Sequence, residues 1–405
     1  MHMSRSFSFM RLACGALGAT FLAGCSLFGA AFSSHQKAVT LAPPAPAAPA
    51  LAAPVPTSRF EIDPDHDDVV GVLQSVITSK EDTLSDIARR FDVGYEEIVR
   101  ANPGVDPWLP GADRQIVVPT QFVLPDAPRE GVVINIAAMR LYYFPPHKPG
   151  QKQLVYTHPI GIGKVGWATP EGTTKIQRRQ KDPIWRPPVS VIKEHRENGD
   201  DLAAVVGPGP DNPLGRYAFY LGWPGYLIHG TNKPYGVGLR SSHGCIRLYP
   251  EDIAFLYDRI PLGTNVHVVN QPFVFGWSQD KLYMQAYGSL EDDQRDWKKA
   301  QQRLLSKSLG PRIQKELARR GEDVSWDLIL ELARTPRGLA VVIDGEGSSI
   351  EQVLASAKKV ENRVPDGATW DGQTDLPLDE KTYQEMLSER DPSQPASASP
   401  QKSGT

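Results

Sequence analysis

Cysteine is scarce in this 405-residue chain, which has only three, at positions 14, 25 and 245. So few cysteines argue against a fold that depends on several disulfide bonds for its stability. A strong charge of one sign is also lacking, because 44 basic and 47 acidic residues leave a formal net charge of -3. This balance does not favour nucleic acid as a partner. Hydrophobic residues make up 40% of the chain, which is enough for folded cores.

The first segment contains no apolar run long enough to span a membrane. Its apolar stretch, Leu12–Ala23, follows Arg5 and Arg11 and has the length of a signal peptide's hydrophobic region. Residues 1–24 are therefore predicted to be a signal peptide that is removed on export. The run Leu22-Ala23-Gly24-Cys25 resembles the lipobox of bacterial lipoproteins, which would make Cys25 the lipidated first residue of the mature chain. The alternative is an ordinary secretory signal with a chance cysteine, and both interpretations predict export.

The lipobox resemblance implies a periplasmic protein, held by acyl chains on a membrane of a Gram-negative bacterium, with the outer membrane expected. With Cys14 removed and Cys25 acylated, Cys245 would be the only free thiol, so no intramolecular disulfide would be possible. A leftover thiol in an exported protein is reactive, pairs with another chain, or is simply a small buried apolar residue.

Residues 25–71 are predicted to be the lipidated N-terminus and a spacer, because Leu41–Pro56 is almost entirely Ala and Pro. A small module follows at residues 72–120. Helical spacing of apolar residues, strand-like runs and turn signals predict the order strand, helix, helix, strand, at 75–78, 82–91, 95–102 and 115–119.

This module resembles LysM, which implies binding of the N-acetylglucosamine-containing glycan of cell walls. The resemblance rests on Asp82-Thr83-Leu84, Ile87-Ala88-Arg89-Arg90-Phe91, Ile98, Ala101-Asn102-Pro103 and Ile116-Val117-Val118-Pro119. The chain departs from the LysM pattern at Lys80-Glu81, where a glycine is usual, and at Gly111-Ala112-Asp113-Arg114. A packing module without a ligand is the alternative, because a fold does not establish a function.

Residues 131–272 are predicted to be mainly β, because short apolar runs alternate with closely spaced glycine and proline turn signals. Val132–Ile136 and Met139–Phe144 suggest a hairpin, and Pro250–Arg259 is the one helix that the pattern supports. A β-rich sandwich with few helices fits this pattern best.

Residues 273–363 are predicted to form a charged helical extension. Apolar residues at helical spacing indicate helices over Leu290–Arg320 and Trp326–Ala333, and Leu339–Asp344 suggests a strand. From Val364 to Thr405 the mixture of Asp, Ser, Pro, Gln and Gly predicts a disordered tail.

Within the β-rich unit, the strand-like run Tyr226-Leu227-Ile228 ends at His229, and a glycine-rich stretch then leads to Ser242-His243-Gly244-Cys245. A thiolate is the reactive form of cysteine, and a neighbouring histidine can both accept its proton and stabilise the anion. Cysteine and histidine also bind zinc, but no further cysteine or closely spaced histidine completes a ligand set here. The residues therefore predict a cysteine nucleophile and no metal.

His229, Ser242-His243-Gly244-Cys245, Ile246 and Arg247 resemble the catalytic signature of the L,D-transpeptidase family, also called the YkuD-like or ErfK/YbiS family. The resemblance extends to five further runs: Ala137–Tyr143, Pro159–Gly163, Thr169–Gly172, Gly207–Gly215 and Pro250–Ile253. It implies a β-sandwich-like YkuD fold at residues 131–272. It also implies a periplasmic peptidoglycan enzyme without a cofactor.

The resemblance implies that Cys245 attacks the bond between diaminopimelate and D-Ala in a tetrapeptide stem and that His229 handles the protons. The Gly230 carbonyl would orient His229, and backbone N–H groups around Gly244 would hold the oxyanion. His243 either assists electrostatically or packs beside the site.

Ser242 and Arg247 are predicted to bind substrate, although a structural salt bridge explains Arg247 equally well. The acyl acceptor would be a diaminopimelate amine or a lysine of an outer-membrane lipoprotein. A hydrolase that uses water as the acceptor and a non-catalytic wall-binding lipoprotein are the alternatives.

Overall fold

A computed structural model describes residues 51–199 and 201–374 of the chain. The predicted signal peptide, Cys25, the spacer up to residue 50 and the tail from residue 375 onward lie outside these residues. Within them, no helix combines the length and the apolar character that crossing a membrane requires.

The N-terminal part of the described chain contains two helices between short strands. Its elements are β1 (Arg59–Ile62), β2 (Val69–Gly71), β3 (Gln74–Ile77), α1 (Leu84–Arg90), α2 (Tyr95–Ala101), β4 (Gln115–Val118) and β5 (Gln121–Val123). Thr83 caps α1 through a reciprocal pair of hydrogen bonds with Asp86, which fixes where the helix begins. Strands β3 and β4 pair antiparallel, so the predicted strand, helix, helix, strand order is present.

The predicted spacer over residues 25–71 is too long at its C-terminal end. Strand β1 lies within that range and pairs antiparallel with a strand of the following unit, Arg59 facing Tyr156. Ile62 is buried with the apolar side chains of the small module. These backbone and apolar contacts order strand β1, which follows the Ala/Pro-rich stretch directly in sequence.

The second part of the chain is mainly β, which confirms the predicted fold class. Its elements are β6 (Gly131–Asn135), β7 (Arg140–Phe144), β8 (Gln153–Pro159), β9 (Ile162–Gly163), β10 (Gly172–Lys181), α3 (Val189–Glu197), β11 (Tyr217–Leu221), β12 (Leu227–His229), the 3-10 turn Pro234–Gly236, β13 (Arg240–Ser242), β14 (Ile246–Arg247), α4 (Pro250–Tyr257) and β15 (Asn265–Val269). The main sheet has the strand order β1-β8-β7-β6-β15-β10-β11-β12-β14.

Helix α3 is absent from the sequence-based prediction. Only Val191 is buried in it, so its residues show no apolar periodicity that would reveal a helix. Helix α4, in contrast, buries Ile253 and Leu256 and was predicted.

The main sheet is covered on both faces. Side chains alternate along a strand, so Leu141 and Tyr143 of β7 enter one core while Tyr142 and Phe144 enter another. The second core also contains Leu84, Ile87 and Ala88 of α1 and Ile98 of α2. The small module therefore packs its own core against one face of the main sheet.

The C-terminal extension contains helices and also strands that the sequence analysis did not identify. The helix predicted over Leu290–Arg320 begins only at Gln301 and is divided into two helices, whereas the helix predicted at Trp326–Ala333 is present. Its elements are β16 (Phe273–Ser278), β17 (Lys281–Ala286), α5 (Gln301–Ser308), α6 (Gly310–Arg320), α7 (Trp326–Arg334), β18 (Ala340–Val342), α8 (Ile350–Ala355) and β19 (Lys358–Lys359). Strands β16 and β17 form a hairpin through Gln279 and Asp280, both with positive φ. Strand β19 returns to the small module and pairs in parallel with β3.

The prediction of a disordered tail from residue 364 is wrong for residues 364–374. Arg90 donates hydrogen bonds of 3.1 Å and 2.7 Å to the Gly372 carbonyl, and the Arg89 guanidinium lies 4.2 Å from the centre of the Trp370 ring. The Thr374 amide donates to the Asp86 carboxylate. A polar composition did not reveal these contacts because their partners are more than 280 residues away in sequence.

Candidate active site

Strands β12 and β14 bring the regions of the predicted nucleophile and base together in the sheet. They pair in parallel, with Ile228 opposite Ile246 and His229 opposite Arg247. Both isoleucines are buried in the core on one face, so His229 and Arg247 project from the other. Cys245 directly precedes β14, the strand that pairs with the strand of His229.

Cys245 is a partly buried free thiol. Its Sγ lies 3.6 Å from the Gly225 carbonyl oxygen, to which the thiol donates. Burial raises the pKa of Cys245, against the opposing effects of the Leu227 backbone and the Arg247 charge. The side chain of Cys245 is therefore a neutral thiol at neutral pH.

His229 is 4% exposed and its orientation is fixed by the next residue in the chain. Its Nδ1 lies 2.6 Å from the Gly230 carbonyl oxygen, so Nδ1 carries the proton and donates to it. The other ring nitrogen, Nε2, is then the one that can accept a proton. Burial and the Arg247 charge lower the pKa of His229 to about 3. The imidazole is therefore neutral, which is the form a general base requires.

Gly244 occupies a backbone conformation that few other residues could adopt. Its φ is 96°, and a Cβ at this position would lie 2.9 Å from Cε1 of Tyr226. The Gly244 carbonyl accepts a hydrogen bond of 3.1 Å from Thr169 Oγ1, which holds the peptide plane before the nucleophile. Thr169 belongs to the resemblance described above, but its role could not be deduced from the sequence because it is 75 residues from Gly244.

Ser242 does not occupy the predicted substrate-binding position. It is 4% exposed, and its hydroxyl donates a 2.5 Å hydrogen bond to the Cys245 carbonyl. This hydroxyl stabilises the turn that carries the nucleophile. Because the hydroxyl is buried and bonded within this turn, the prediction that Ser242 binds substrate is wrong.

His243 is directed toward helix α3. Its Nε2 lies 2.9 Å from a carboxylate oxygen of Glu194, and its ring meets Trp167 edge to face at 4.7 Å between centroids. Glu194 also pairs with Lys164. Burial lowers the pKa of His243, although the Glu194 carboxylate opposes this effect. No sequence signal pointed to Glu194, since α3 itself was not predicted.

Arg247 is partly buried above the same face of the sheet, and its Nη1 donates a 3.0 Å hydrogen bond to Ser241 Oγ. Its charge acts on both His229 and Cys245. Its contact with a substrate carboxylate stays a prediction. In the part of the chain that the structure covers, the donor atoms of Cys245, His229 and His243 do not converge as the ligands of one metal ion.

Comparison with known proteins identifies both units. Residues 129–268 match the model of the L,D-transpeptidase catalytic domain, YkuD, and residues 77–119 match the LysM domain. The chain is 41% identical over 224 residues to "Probable L,D-transpeptidase ErfK/SrfK" of Salmonella typhimurium, a match that covers 55% of this chain and 71% of that protein.

It is also 41% identical over 250 residues to "Probable L,D-transpeptidase YbiS" of Escherichia coli, covering 61% of this chain and 76% of the relative. The predicted resemblance is thereby confirmed over most of each relative's length. The chain belongs to the L,D-transpeptidase family.

Proposed function

We propose that the protein is a periplasmic peptidoglycan L,D-transpeptidase in which Cys245 is the nucleophile and His229 the general base. The observation that carries this proposal is the parallel pairing of β12 with β14. This pairing supports the proposal because it brings the strand of His229 beside the strand that follows Cys245, and burial favours the neutral form of both side chains.

In the first step, His229 Nε2 accepts the proton of Cys245 as Sγ forms a bond to the carbonyl carbon between diaminopimelate and D-Ala. In this proposal, backbone N–H groups at Gly244 and Cys245 stabilise the resulting oxyanion. The carbon–nitrogen bond then breaks, and the imidazolium returns the proton to the leaving D-Ala amine. A thioester remains on Cys245.

In the second step, an amine attacks the thioester and His229 accepts the proton that the amine loses. The carbon–sulfur bond breaks, and the thiolate recovers a proton from the imidazolium. The acceptor is a diaminopimelate amine, which gives a 3-3 cross-link, or a lysine of an outer-membrane lipoprotein. Water in the same position would release a tripeptide instead.

The LysM module supports peptidoglycan as the substrate, because a LysM domain and an L,D-transpeptidase domain together imply binding to this polymer. The module shares a core with one face of the main sheet. Glycan bound by the module would therefore be held at a defined position relative to Cys245, which raises the effective concentration of the attached stem peptides.

One assay tests the enzymatic proposal. The purified protein and its Cys245→Ala variant are incubated with tetrapeptide muropeptides, and both products and protein are analysed by mass spectrometry. We expect a thioester adduct on the parent protein only, together with cross-linked dimers or amine exchange. Tripeptide alone would indicate hydrolysis, and the absence of any Cys245-dependent product would contradict both reactions.

We propose that acylation of Cys25 anchors the protein to a membrane. The support is the sequence Leu22-Ala23-Gly24-Cys25 after a short apolar stretch. The variant Cys25→Ser should move the protein from the membrane fraction to the soluble periplasmic fraction. Retention of the variant in the membrane fraction would contradict this assignment.

A further inference from the structure

A histidine and two aspartates meet where the LysM module contacts the catalytic domain. Asp92 lies between α1 and α2 of the module, His158 lies in β8 and Asp252 lies in α4. His158 Nδ1 is 3.0 Å from an oxygen of Asp92 and 3.2 Å from an oxygen of Asp252. One ligand-type atom from each residue falls within 4.8 Å of the other two. Together they form a cluster contributed by both domains.

The cluster is buried and its hydrogen bonding is incomplete. His158 is 4% exposed and Asp252 is 7% exposed. Among the described residues, Asp92 Oδ1, Asp252 Oδ2 and both nitrogens of His158 have no hydrogen-bond partner of good geometry. His158 Nδ1 thus lies in ionic contact with both carboxylates, whereas Nε2 has no polar partner among the described residues. Buried polar atoms of this kind require a further partner, such as a water or an ion.

Nearby positive charges already have their own partners. Arg140 makes a two-pronged ion pair with Glu97, and Arg89 makes one with Glu251. Both arginines therefore pair with other carboxylates, which leaves Asp92 and Asp252 as the acidic groups of the cluster that a cation can bind.

We propose that Asp92, His158 and Asp252 form a binding site for one divalent transition-metal ion, with Zn²⁺ as the best fit. Zinc binds imidazole nitrogen and carboxylate oxygen at about 2.0–2.2 Å, which separates tetrahedral ligands by about 3.4 Å. The 3.0 Å and 3.2 Å separations from Nδ1 need only a small expansion to reach this value.

The ligand set and its charge both favour zinc. The unpartnered second oxygens of Asp92 and Asp252 can complete the coordination as bidentate carboxylates. A divalent ion balances the two carboxylates while His158 is neutral, and its binding displaces the protons that the ligands held. Calcium is a poorer fit because it takes six to eight oxygen ligands, whereas this site offers an imidazole and two carboxylates.

A metal ion at this position would hold the two domains together, because one ligand comes from the LysM module and two come from the catalytic domain. It would act as a structural clamp, and it does not depend on the reaction that we propose. The expected consequence is metal-dependent stability of the whole protein.

The test measures zinc in the purified full-length protein carrying Cys245→Ser, so that the thiol cannot contribute a ligand. The protein is exposed to Zn²⁺, desalted and analysed for metal by mass spectrometry. Asp252→Asn is added to remove a ligand charge without changing side-chain size. Glu251→Gln is the matched control, because Glu251 lies on the same helix but pairs with Arg89.

We expect about one zinc per chain in the Cys245→Ser protein and in its Glu251→Gln derivative, and less than about a tenth of that with Asp252→Asn. Saturating Zn²⁺ should raise the midpoint of thermal unfolding by about 5 °C in the first two proteins only. Co²⁺ bound in place of zinc should give a visible absorption spectrum that Asp252→Asn abolishes.

Absence of stoichiometric zinc from the Cys245→Ser protein would overturn the proposal, whatever the folding of the other variants. Zinc retained at the parent level by Asp252→Asn would place the ion elsewhere and would also overturn it. If circular dichroism shows that Asp252→Asn does not fold, Asp92→Asn replaces it, because Asp92 lies in a loop and is more exposed.

Discussion

The active-site face and the junction between the two domains are both buried, but they hold their polar groups in opposite ways. At the active site, burial lowers the pKa of His229 and raises that of Cys245, so both groups are neutral. At the junction, the Arg140 guanidinium is fully buried and forms an ion pair with Glu97. Although burial opposes its charge, Glu97 raises the pKa of Arg140.

The charged groups at the junction suit a structural role, whereas the neutral groups at the active site suit proton transfer. A buried ion pair with several hydrogen bonds has one favourable arrangement, which suits a fixed contact between domains. A base that must accept and return a proton works best without a permanent ionic partner, since such a partner would hold it in one protonation state. The two regions can therefore be tested by removing one group from each.

The largest expected effect is on catalysis. His229→Ala should slow formation of the thioester by about 10²–10⁴-fold, because the thiol loses its general base. His243→Gln should slow it by no more than about tenfold, since His243 contacts Glu194 and Trp167. Intact-protein mass spectrometry over time would measure the rate of acyl-enzyme formation in each of the two variants. Equal losses would mean that both histidines act on the thiol.

The next effect is on stability at the junction. Glu97→Gln should reduce the free energy of unfolding by about 3–5 kcal/mol, because it leaves the buried Arg140 charge without its partner. Urea denaturation would measure the change. In the double variant with Arg140→Met, much of this loss should be recovered, since no unpaired charge remains. A loss below about 1 kcal/mol in the single variant would show that the junction does not depend on the ion pair.

The neutral state of the active site predicts a pH dependence. Because the pKa of Cys245 is raised above its ordinary value, the thiolate fraction should increase about tenfold per pH unit from pH 6 to pH 9. The rate of Cys245 alkylation by iodoacetamide, measured on the peptide that contains Cys245, should rise in proportion to the thiolate fraction. His229→Ala should leave this slope unchanged. A constant rate between pH 5 and pH 8 would instead indicate a thiolate paired with a charged imidazole.

Folding stability at acidic pH should depend on His229 rather than on Cys245. The pKa of His229 falls from its ordinary value of 6.5 to about 3 on folding, so the folded protein favours the neutral ring. The stability associated with this group should therefore be present above pH 6.5 and be lost progressively as the pH falls toward 3.

Local patterns predicted the active site better than they predicted the junction. The runs around His229 and Cys245 lie on adjacent strands, and short-range patterns identify both strands and turns. The contact between Arg140 and Glu97 joins residues 43 positions apart in different units, so it has no local signal. The run Leu141-Tyr142-Tyr143 predicts a buried strand, but it does not reveal that its two faces belong to different cores.

The wrong sequence-based predictions also concern contacts that a local pattern does not reveal. Residues 59–62 look like part of a spacer because they follow an Ala/Pro-rich stretch, and residues 364–374 look like part of a tail because their composition is polar, yet tertiary contacts order both. The prediction that Ser242 binds substrate rests on its place beside the predicted catalytic residues, whereas its hydroxyl donates a hydrogen bond to the Cys245 carbonyl. In each case the deciding partner lies beyond the range of the pattern or depends on the exact turn geometry.

The smallest expected effect concerns a second ion pair at the junction, which is more exposed than the first. Arg89 Nε and Nη2 donate bonds of 2.8 Å and 2.9 Å to Glu251, whose side chain is 30% exposed. Water can solvate Glu251 when the pair is broken, so Glu251→Gln should cost only about 1 kcal/mol in the free energy of unfolding. A double-mutant cycle with Arg89→Met would isolate the pair from the packing of Arg89 against Trp370. A coupling as large as that of Glu97 and Arg140 would show that the junction excludes water throughout, which would remove the distinction between its buried and exposed ion pairs.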